Sequence, residues 1–123
     1  MELIELKEAA LERVVRISDD GTYRPAGGRP VVLDFYVPWC QPCRTMLPVL
    51  EEVAEEYAGR VDFYKTDIDR ERRIAVRFRV RNVPALAFLS PDGTSRDEGV
   101  HVGALTKAAL RERIEALLAS SCW

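Results

Sequence analysis

Cysteine and histidine are scarce in this sequence of 123 residues, which contains three cysteines and one histidine. Three cysteines are too few for the disulfide framework of a small secreted protein. No apolar run approaches the roughly 18 residues that a membrane-spanning helix requires. The first residues, MELIELKE, carry three acidic side chains and lack the apolar stretch of a signal peptide. We therefore expect a cytoplasmic protein with no membrane partner.

Positive charge is not in excess either, because 20 acidic residues outnumber 18 basic ones and give a formal net charge of −2. Proteins that bind nucleic acids or anionic lipids are usually basic, so we expect no nucleic-acid partner. Hydrophobic residues make up 47% and charged residues 31% of the chain, a balance that supports a buried core under a polar surface. The length predicts a single domain over residues 1–123, with a monomer as the default state.

The order of the apolar patterns predicts the α/β fold class, with a mixed sheet and helices on both faces. Predicted strands cover residues 2–6, 31–37, 61–66, 85–90 and 94–101, and the last two form a hairpin. Predicted helices cover residues 7–17, 44–58 and 70–77, followed by a final helix capped by Thr106. Residues 1–30 then hold the first strand, the first helix and an extended loop, of which residues 24–30 have no assigned function. Residues 119–123 form a C-terminal tail.

Two cysteines, Cys40 and Cys43, form a C-x-x-C pair at the start of the second predicted helix. The first turn of a helix presents unpaired N–H groups that favour a thiolate and lower the pKa of the Cys40 thiol. Cys43 lies one turn further on, within reach of a disulfide, and Pro42 suits an early helical position. The arrangement permits attack on a disulfide by the first thiolate and resolution by the second thiol.

Asp34 lies on a strand that is apolar on both alternating faces. Burial makes a carboxylate expensive to ionise, so we expect a raised pKa for Asp34. The carboxyl group would then be able to exchange a proton with Cys43. A partly solvated aspartate near a strand end fits the local sequence equally well, and both interpretations stay open here.

A C-x-x-C pair can also be half of a zinc site. His101 and Cys122 would complete a set of four ligands, but they lack the spacing of a ligand pair, so we predict no metal. We expect Cys122 to be an exposed thiol in the tail, with intermolecular pairing or glutathionylation as alternatives. The arginines between residues 70 and 81 favour a solvated surface over a docking surface for an acidic partner.

Residues 39–43, WCQPC, preceded by VLDF at residues 32–35, resemble the active-site segment of thioredoxins. Further along the chain, Asn82-Val83-Pro84 resembles the cis-proline loop of that family, and residues 102–105 resemble its glycine loop. Lys65 and Pro48 match the family's lysine and helix-kinking proline. The resemblance extends over residues 2–119. It implies a thioredoxin fold, with a mixed central sheet of four to five strands between helices.

The resemblance also implies an activity, the reduction of protein disulfides through a redox-active disulfide between two cysteines. Cys40 would be the exposed nucleophile and Cys43 the buried resolving thiol. Asp34 would exchange a proton with Cys43, and Lys65 would pair with Asp34 as the fourth catalytic residue. No bound cofactor is implied, because electrons would come from a separate thioredoxin reductase.

Substrate-binding residues are implied around the pair. They are Trp39, Gln41, Pro42, Val83, Pro84, Gly103 and Ala104. The backbone of Val83 would pair with an extended segment of the substrate, and Pro84 would follow a cis peptide bond. Gln41 replaces the usual glycine of the family and leaves the reduction potential open, while Tyr36 replaces a common tryptophan. A disulfide oxidant or isomerase and a non-catalytic subunit of the same fold remain the alternative functions.

Overall fold

Over residues 2–120, which the computed structural model describes apart from the side chains of residues 96, 97 and 120, eight strands form two sheets. They are β1 (Ile4–Glu5), β2 (Val15–Ile17), β3 (Thr22–Pro25), β4 (Val31–Tyr36), β5 (Asp62–Asp67), β6 (Ala85–Leu89), β7 (Thr94–Ser95) and β8 (Val100–Val102). The larger sheet has the order β1-β5-β4-β6-β8. Strands β1, β5 and β4 run parallel, whereas β6 is antiparallel to β4 and β8. The predicted mixed sheet is confirmed, with five strands.

Helices cover both faces of this sheet. They are a 3-10 helix (Glu8–Ala10), α1 (Leu11–Val14), α2 (Gln41–Glu56), α3 (Arg72–Phe78), α4 (Arg96–Gly99) and α5 (Lys107–Ser120). Residues of α2 and α5 pack in one core cluster, and residues of α1 and α3 pack in the other. Within the described chain, no helix combines the length and the apolar character needed to cross a membrane.

Strand β4 is buried on both faces, which explains its nearly continuous apolar sequence. Val32 packs in the cluster that contains Leu50 of α2. Leu33 and Phe35 point the other way, into the cluster that contains Phe78 of α3. The strand therefore forms the centre of the fold, and its carboxyl end leads directly to the cysteine pair.

Helix α2 begins at Gln41, directly after the N-cap residue Cys40, so the cysteine pair lies at the helix start as expected, three residues before the apolar pattern over residues 44–58. Pro42 lies in the first turn, where its missing N–H costs no helical hydrogen bond. The helix continues through Pro48 and ends at Glu56. The buried residues lie along one stripe. They are Cys43, Met46, Leu50, Val53 and Ala54.

The predicted helix over residues 7–17 is wrong in its last three residues. Helix α1 ends at Val14, and the chain continues as β2. This strand runs antiparallel to β3, with Val15 opposite Pro25. The extended conformation suits β-branched residues, and the distant partner strand overrides a local pattern that is compatible with a helix.

A second sheet, with the order β2-β3-β7, was not predicted. It includes part of the segment that we expected to be a loop, because residues 22–25 form β3. Tyr23 packs against α3 and so connects this sheet to the helix. Its ring stacks on Phe78 with centroids 4.5 Å apart, and its hydroxyl donates a 2.8 Å hydrogen bond to the carbonyl oxygen of Arg77.

The predicted strand over residues 94–101 is divided in the structure. Its first part, β7, pairs with β3 in the second sheet. The four residues of α4 follow, and only β8 pairs with β6 in the central sheet. The expected hairpin partner of β6 is therefore β8, because α4 carries the chain from one sheet to the other.

The last helix follows the predicted pattern. The hydroxyl oxygen of Thr106 accepts a 3.1 Å hydrogen bond from the N–H of Ala109, which confirms the predicted cap. Three apolar residues on one side of α5 are buried. They are Leu110, Ile114 and Leu117.

Helix α5 extends to Ser120, so the tail predicted over residues 119–123 begins inside the helix. Residues 121–123 lie outside the part of the chain that the structure describes, and so does Cys122 with the expectations attached to it.

Candidate active site

Cys40 and Cys43 are joined by a disulfide at the start of α2, with their Cα atoms 5.3 Å apart. Cys40 is the N-cap residue, and its Sγ accepts a 3.2 Å hydrogen bond from the N–H of Cys43. Its carbonyl oxygen accepts a 3.1 Å hydrogen bond from the N–H of Arg44, one of the first bonds of the helix. The sulfur of Cys40 therefore lies where the helix presents free N–H groups, which stabilise a thiolate when the disulfide is reduced.

The exposed sulfur expected at position 40 is largely covered in this oxidised form. Cys40 is 8% exposed and Cys43 is 3% exposed. Both pack against Val37, with Ile68 and Val83 at the edge of the cluster. Cys40 is thus the more accessible member of the pair, but the description of it as exposed is wrong for the disulfide state.

Asp34 is buried in the middle of β4, with 1% of its surface exposed. Its Oδ1 atom has no hydrogen-bond partner within residues 2–120. Burial raises the pKa of Asp34 to about 7, the positive charge of Lys65 opposes this rise, and the negative charge of Glu5 adds to it. Of the two interpretations left open by the sequence, the structure supports the buried carboxyl group with a raised pKa.

Lys65 lies directly opposite Asp34 in the parallel register of β5 and β4. No hydrogen bond joins the two side chains among the described residues, and Lys65 acts on Asp34 as a charge at a distance. The pairing implied by the family resemblance is therefore a through-space attraction, not a contact ion pair.

A cavity of about 80 Å³ connects Asp34 with Cys43. Its lining consists of Asp34, Tyr36, Val37, Pro38, Cys43, Arg44, Leu47 and Lys65. A cavity needs roughly 10–15 Å³ to hold one water molecule, so this space is large enough for a water-mediated proton path. Three of the four residues predicted to be catalytic, Asp34, Cys43 and Lys65, thus line one cavity, and the disulfide joins Cys40 to Cys43.

The residues predicted to bind substrate come together around the disulfide. Val83 packs against the cysteine cluster, and the Val83–Pro84 peptide bond is cis. The N–H of Gly103 donates a 2.8 Å hydrogen bond to the carbonyl oxygen of Pro84. Trp39, the residue before Cys40, is 75% exposed. The other three, Gln41, Pro42 and Ala104, are also exposed.

The structure adds Val102 to this surface. It precedes Gly103 and is 59% exposed, which is unusual for a large apolar side chain on the central sheet. The sequence gives one signal for it, since Val102 is the first residue of the segment over residues 102–105 that resembles the glycine loop. An exposed apolar surface beside the disulfide suits contact with another protein.

Glu5 and Tyr36 are the other side chains that sequence analysis did not place at the site. The hydroxyl of Tyr36 donates a 2.7 Å hydrogen bond to Oε1 of Glu5. Burial raises the pKa of Tyr36, and the hydrogen bond to Glu5 adds to the rise. No local pattern predicts this contact, because it depends on the register of three strands.

A metal site receives no support from the described residues, which contain no group of three or more His, Cys, Asp and Glu side chains able to hold an ion. The cysteines are bonded to each other. His101 lies on β8, where burial and the nearby charge of Arg113 lower its pKa.

Comparison with protein families decides the assignment, because the family model described as Thioredoxin matches residues 25–116. The chain belongs to the thioredoxin family. It is 34% identical over 116 residues to a protein named M-type chloroplastic thioredoxin from Pisum sativum, an alignment that covers 92% of this chain and 64% of the relative. It is 32% identical over 109 residues to a thioredoxin of Borreliella burgdorferi, with 89% of this chain and 91% of the relative covered.

Length differs among these thioredoxin relatives. The alignments span 64% of the Pisum sativum protein and 48% of an M-type chloroplastic thioredoxin from Spinacia oleracea, which is 37% identical over 89 residues and aligns with 72% of this chain. Among solved structures, chloroplastic thioredoxin z aligns with a TM-score of 0.74 and 24% identity, covering 97% of this chain and 96% of that one. That likeness supports the thioredoxin fold.

Proposed function

We propose that this thioredoxin-family protein reduces disulfide bonds of other proteins by dithiol–disulfide exchange. The observation that carries the proposal is the Cys40–Cys43 disulfide at the N-terminus of α2, closed between residues one helical turn apart. Such a pair opens and closes with little movement of the backbone. The bond described above is the oxidised product of the proposed cycle.

The first step of the proposed reaction begins from the reduced dithiol. The Cys40 thiolate attacks one sulfur of the substrate disulfide, and a mixed disulfide forms while the other substrate sulfur leaves as a thiolate and takes up a proton. The hydrogen bond from the N–H of Cys43 and the positive end of the α2 dipole favour the Cys40 thiolate. Cys40 is also the more exposed of the two residues.

In the second step Cys43 attacks the sulfur of Cys40 in the mixed disulfide. The second substrate sulfur leaves as a thiolate and is protonated, and the Cys40–Cys43 disulfide forms. Two electrons have then passed from the dithiol to the substrate. The carboxylate of Asp34 takes the proton of Cys43 across the shared cavity, a role supported by a pKa of about 7 that lets it bind and release a proton near neutral pH.

The proposed substrates are proteins that present a disulfide in an extended segment. The exposed side chains of Trp39 and Val102 provide apolar contact area on the rim. Val83 packs next to the cysteines, which supports the proposal that its backbone pairs with the substrate segment. Gly103, whose N–H is bonded to the carbonyl oxygen of Pro84, adds no side chain to this surface near the Cys40–Cys43 disulfide.

The proposed source of electrons is a thioredoxin reductase, which would reduce the Cys40–Cys43 disulfide after each turnover without a cofactor bound to this protein. The proposed compartment is the cytoplasm, where reducing conditions suit a dithiol reductase, and the proposed state is a monomer. Cell fractionation tests the proposed compartment, and the molar mass of the purified full chain in solution tests the monomer.

Insulin reduction in the presence of dithiothreitol tests the activity. The protein should produce turbidity well before the reductant alone, whereas Cys40→Ser should be no faster than the reductant. Cys122→Ser is the matched control, since it removes a thiol outside the proposed pair, and it should keep the full rate. An equal rate in Cys40→Ser and in the unmodified protein contradicts the assignment of Cys40 as nucleophile.

A trapping experiment tests the second step. Cys43→Ser should accumulate mixed disulfides with target proteins that disappear when a reducing agent is added to the gel sample. The Cys40→Ser/Cys43→Ser variant is the control and should trap none. Trapping by this double variant at the level of Cys43→Ser contradicts the proposed sequence of steps.

The reduction potential separates a reductase from an oxidant. Thioredoxins have potentials of about −270 mV and the oxidant DsbA about −120 mV. A reductase function requires a potential of about −270 mV, whereas a potential of about −120 mV would favour the oxidant. Gln41, which lies between the cysteines, leaves this value open from the sequence. Equilibration of the full chain with glutathione buffers measures it.

A further inference from the structure

A row of alternating charge crosses three strands of the central sheet. Glu5 on β1 lies opposite Lys65 on β5, and Lys65 lies opposite Asp34 on β4. Residues opposite each other in neighbouring strands share one face of the sheet, with the strands about 4.8 Å apart. A second carboxyl group therefore lies on the side of Lys65 that faces away from Asp34.

Tyr36 contacts two members of this row, Glu5 and Lys65. It lies two residues after Asp34 and thus on the same face of β4. Its hydroxyl reaches past β5 to donate a 2.7 Å hydrogen bond to Oε1 of Glu5. The ammonium nitrogen of Lys65 lies 5.7 Å from the centroid of the Tyr36 ring, within the range of a cation–π interaction.

We propose that Glu5 is a positioning residue of the redox site, which fixes the Tyr36 ring by this hydrogen bond at the wall of the cavity between Asp34 and Cys43 and acts on Asp34 through its negative charge. Tyr36 and Lys65 both line that cavity with Asp34 and Cys43. Glu5 acts on the reacting groups through the ring of Tyr36 and through its charge. The inference deepens the proposed function, because it concerns proton exchange at the same pair of cysteines.

The hydrogen bond between Tyr36 and Glu5 persists over the pH range in which Asp34 titrates. Burial raises the pKa of Tyr36, so the phenol remains a donor at neutral and mildly basic pH. Tyr36 is only half-buried, and its ring on its own would be free to turn towards solvent. The bond to Glu5 restricts this freedom and keeps the ring in the lining of the cavity.

Several charged or titratable groups face Asp34 and Tyr36. They are Glu5 on β1, Lys65 and Asp67 on β5, and Cys43 and Arg44 on α2. On the other side, β6 presents the apolar side chain of Leu86 opposite Asp34, with His101 of β8 beyond it. Within this set, Glu5 and Lys65 are the groups whose charges act on Asp34, in opposite directions.

Loss of the Glu5 charge should therefore make Asp34 easier to ionise. Glu5→Gln is the decisive variant, because the amide oxygen still accepts a hydrogen bond from Tyr36 while the negative charge is gone. We expect the titration midpoint of Asp34 to fall by roughly half a pH unit. Glu12→Gln makes the same change of charge at an exposed position on α1 and should leave the midpoint where it is.

Tyr36→Phe separates the hydrogen bond from the charge. This variant keeps the carboxylate of Glu5 but removes the donor that holds it, and Glu5 is then free to turn towards solvent. A smaller downward shift of the Asp34 midpoint is expected. Glu5→Asp keeps a negative charge at position 5, in contrast to Glu5→Gln, and should have an Asp34 midpoint closer to that of the unmodified protein.

Carboxyl-carbon NMR of the oxidised full chain measures the Asp34 midpoint in each variant, and thermal unfolding verifies that each one is folded. An unchanged midpoint in Glu5→Gln would overturn the effect of the charge, and an unchanged midpoint in Tyr36→Phe would overturn the role of the hydrogen bond. The titration requires no turnover. Failure of the proposed function, seen as absence of insulin reduction by the unmodified protein, is therefore distinguishable from failure of this inference.

The pH dependence of mixed-disulfide resolution is the second measurement. If Asp34 accepts the proton of Cys43, the rate should fall on the acid side as Asp34 becomes protonated. Glu5→Gln should move this acid limb to lower pH by the same shift that NMR records, and Glu12→Gln should not move it. A loss of rate at every pH with an unmoved limb would assign Glu5 a structural role only and overturn the proposal.

Discussion

The N–H of Gly103 donates a 2.8 Å hydrogen bond to the carbonyl oxygen of Pro84, which ties the loop after β8 to the loop that carries the cis peptide bond. Gly103 has a φ of 111°, a conformation that favours glycine. A Cβ atom at this position would meet its nearest neighbour, Nε2 of His101, at 3.8 Å. The requirement for glycine therefore comes from the backbone conformation and not from lack of space.

Gly103→Ala should lower the free energy of unfolding by about 1–3 kcal/mol, because alanine is strained at this φ. Urea denaturation measures the change. Gly27→Ala is the matched control, since a Cβ at Gly27 meets nothing within 4 Å and its φ lies outside the strained range. A loss in Gly27→Ala as large as that in Gly103→Ala would contradict the explanation from backbone strain.

The stability of the protein should depend on pH through Asp34. In the unfolded chain this carboxyl loses its proton near pH 4, whereas in the folded protein burial raises its pKa to about 7. Between these values the folded state binds more protons than the unfolded state, so the free energy of unfolding falls as the pH rises from about 4 to about 7. The penalty reaches at most about 4 kcal/mol above that range.

Asp34→Asn removes this penalty and should be more stable than the unmodified protein at pH 8, with a difference that shrinks towards pH 4. Denaturation at a series of pH values tests the expected trend. Asp69→Asn, at an exposed aspartate, provides the control and should leave the pH dependence unchanged. A difference independent of pH would show that the ionisation of Asp34 does not set the stability.

The N-cap of α5 should contribute about 1 kcal/mol to the free energy of unfolding. Thr106→Ala removes the hydroxyl that accepts the hydrogen bond from the N–H of Ala109, whereas Thr106→Ser keeps an acceptor. We expect a loss in the alanine variant and near-native stability in the serine variant. Equal losses in both would mean that the methyl group, and not the cap, is responsible.

Tyr23 should be important for stability because it joins the second sheet to α3. Tyr23→Phe loses the hydrogen bond to the carbonyl of Arg77 and should cost about 1 kcal/mol. Tyr23→Ala also loses the stack on Phe78 and should cost about 3–5 kcal/mol. Chemical denaturation of the two variants measures both losses. An alanine variant that is no less stable than the phenylalanine variant would contradict the contribution of the ring stack.

The parts of the fold that the sequence predicted correctly depend on local patterns. Strand β4 is apolar on both faces, and Cys40 with Pro42 marks a helix start, so the position of the disulfide follows from neighbouring residues. The capping residue Thr106 also acts within one turn of its helix. In each case the partners of the interaction are a few residues apart.

The errors concern interactions between distant segments. Residues 15–17 fit a helical pattern, but pairing with β3 makes them a strand. The same holds for residues 94–95, which pair with β3 and not with β6. The contact between Glu5 and Tyr36 joins residues 31 positions apart, and only the register of β1, β5 and β4 brings them together.

The second sheet also has a consequence for any shortened form of the protein. The family match begins at residue 25, after β2 and nearly all of β3. Shortening the chain to the matched residues would delete Tyr23, whose ring stacks on the fully buried ring of Phe78. It would also leave β7 without its partner strand β3. The strands β2 and β3 therefore cover part of the core cluster around Phe78, and a chain shortened to the matched residues would expose that cluster to water.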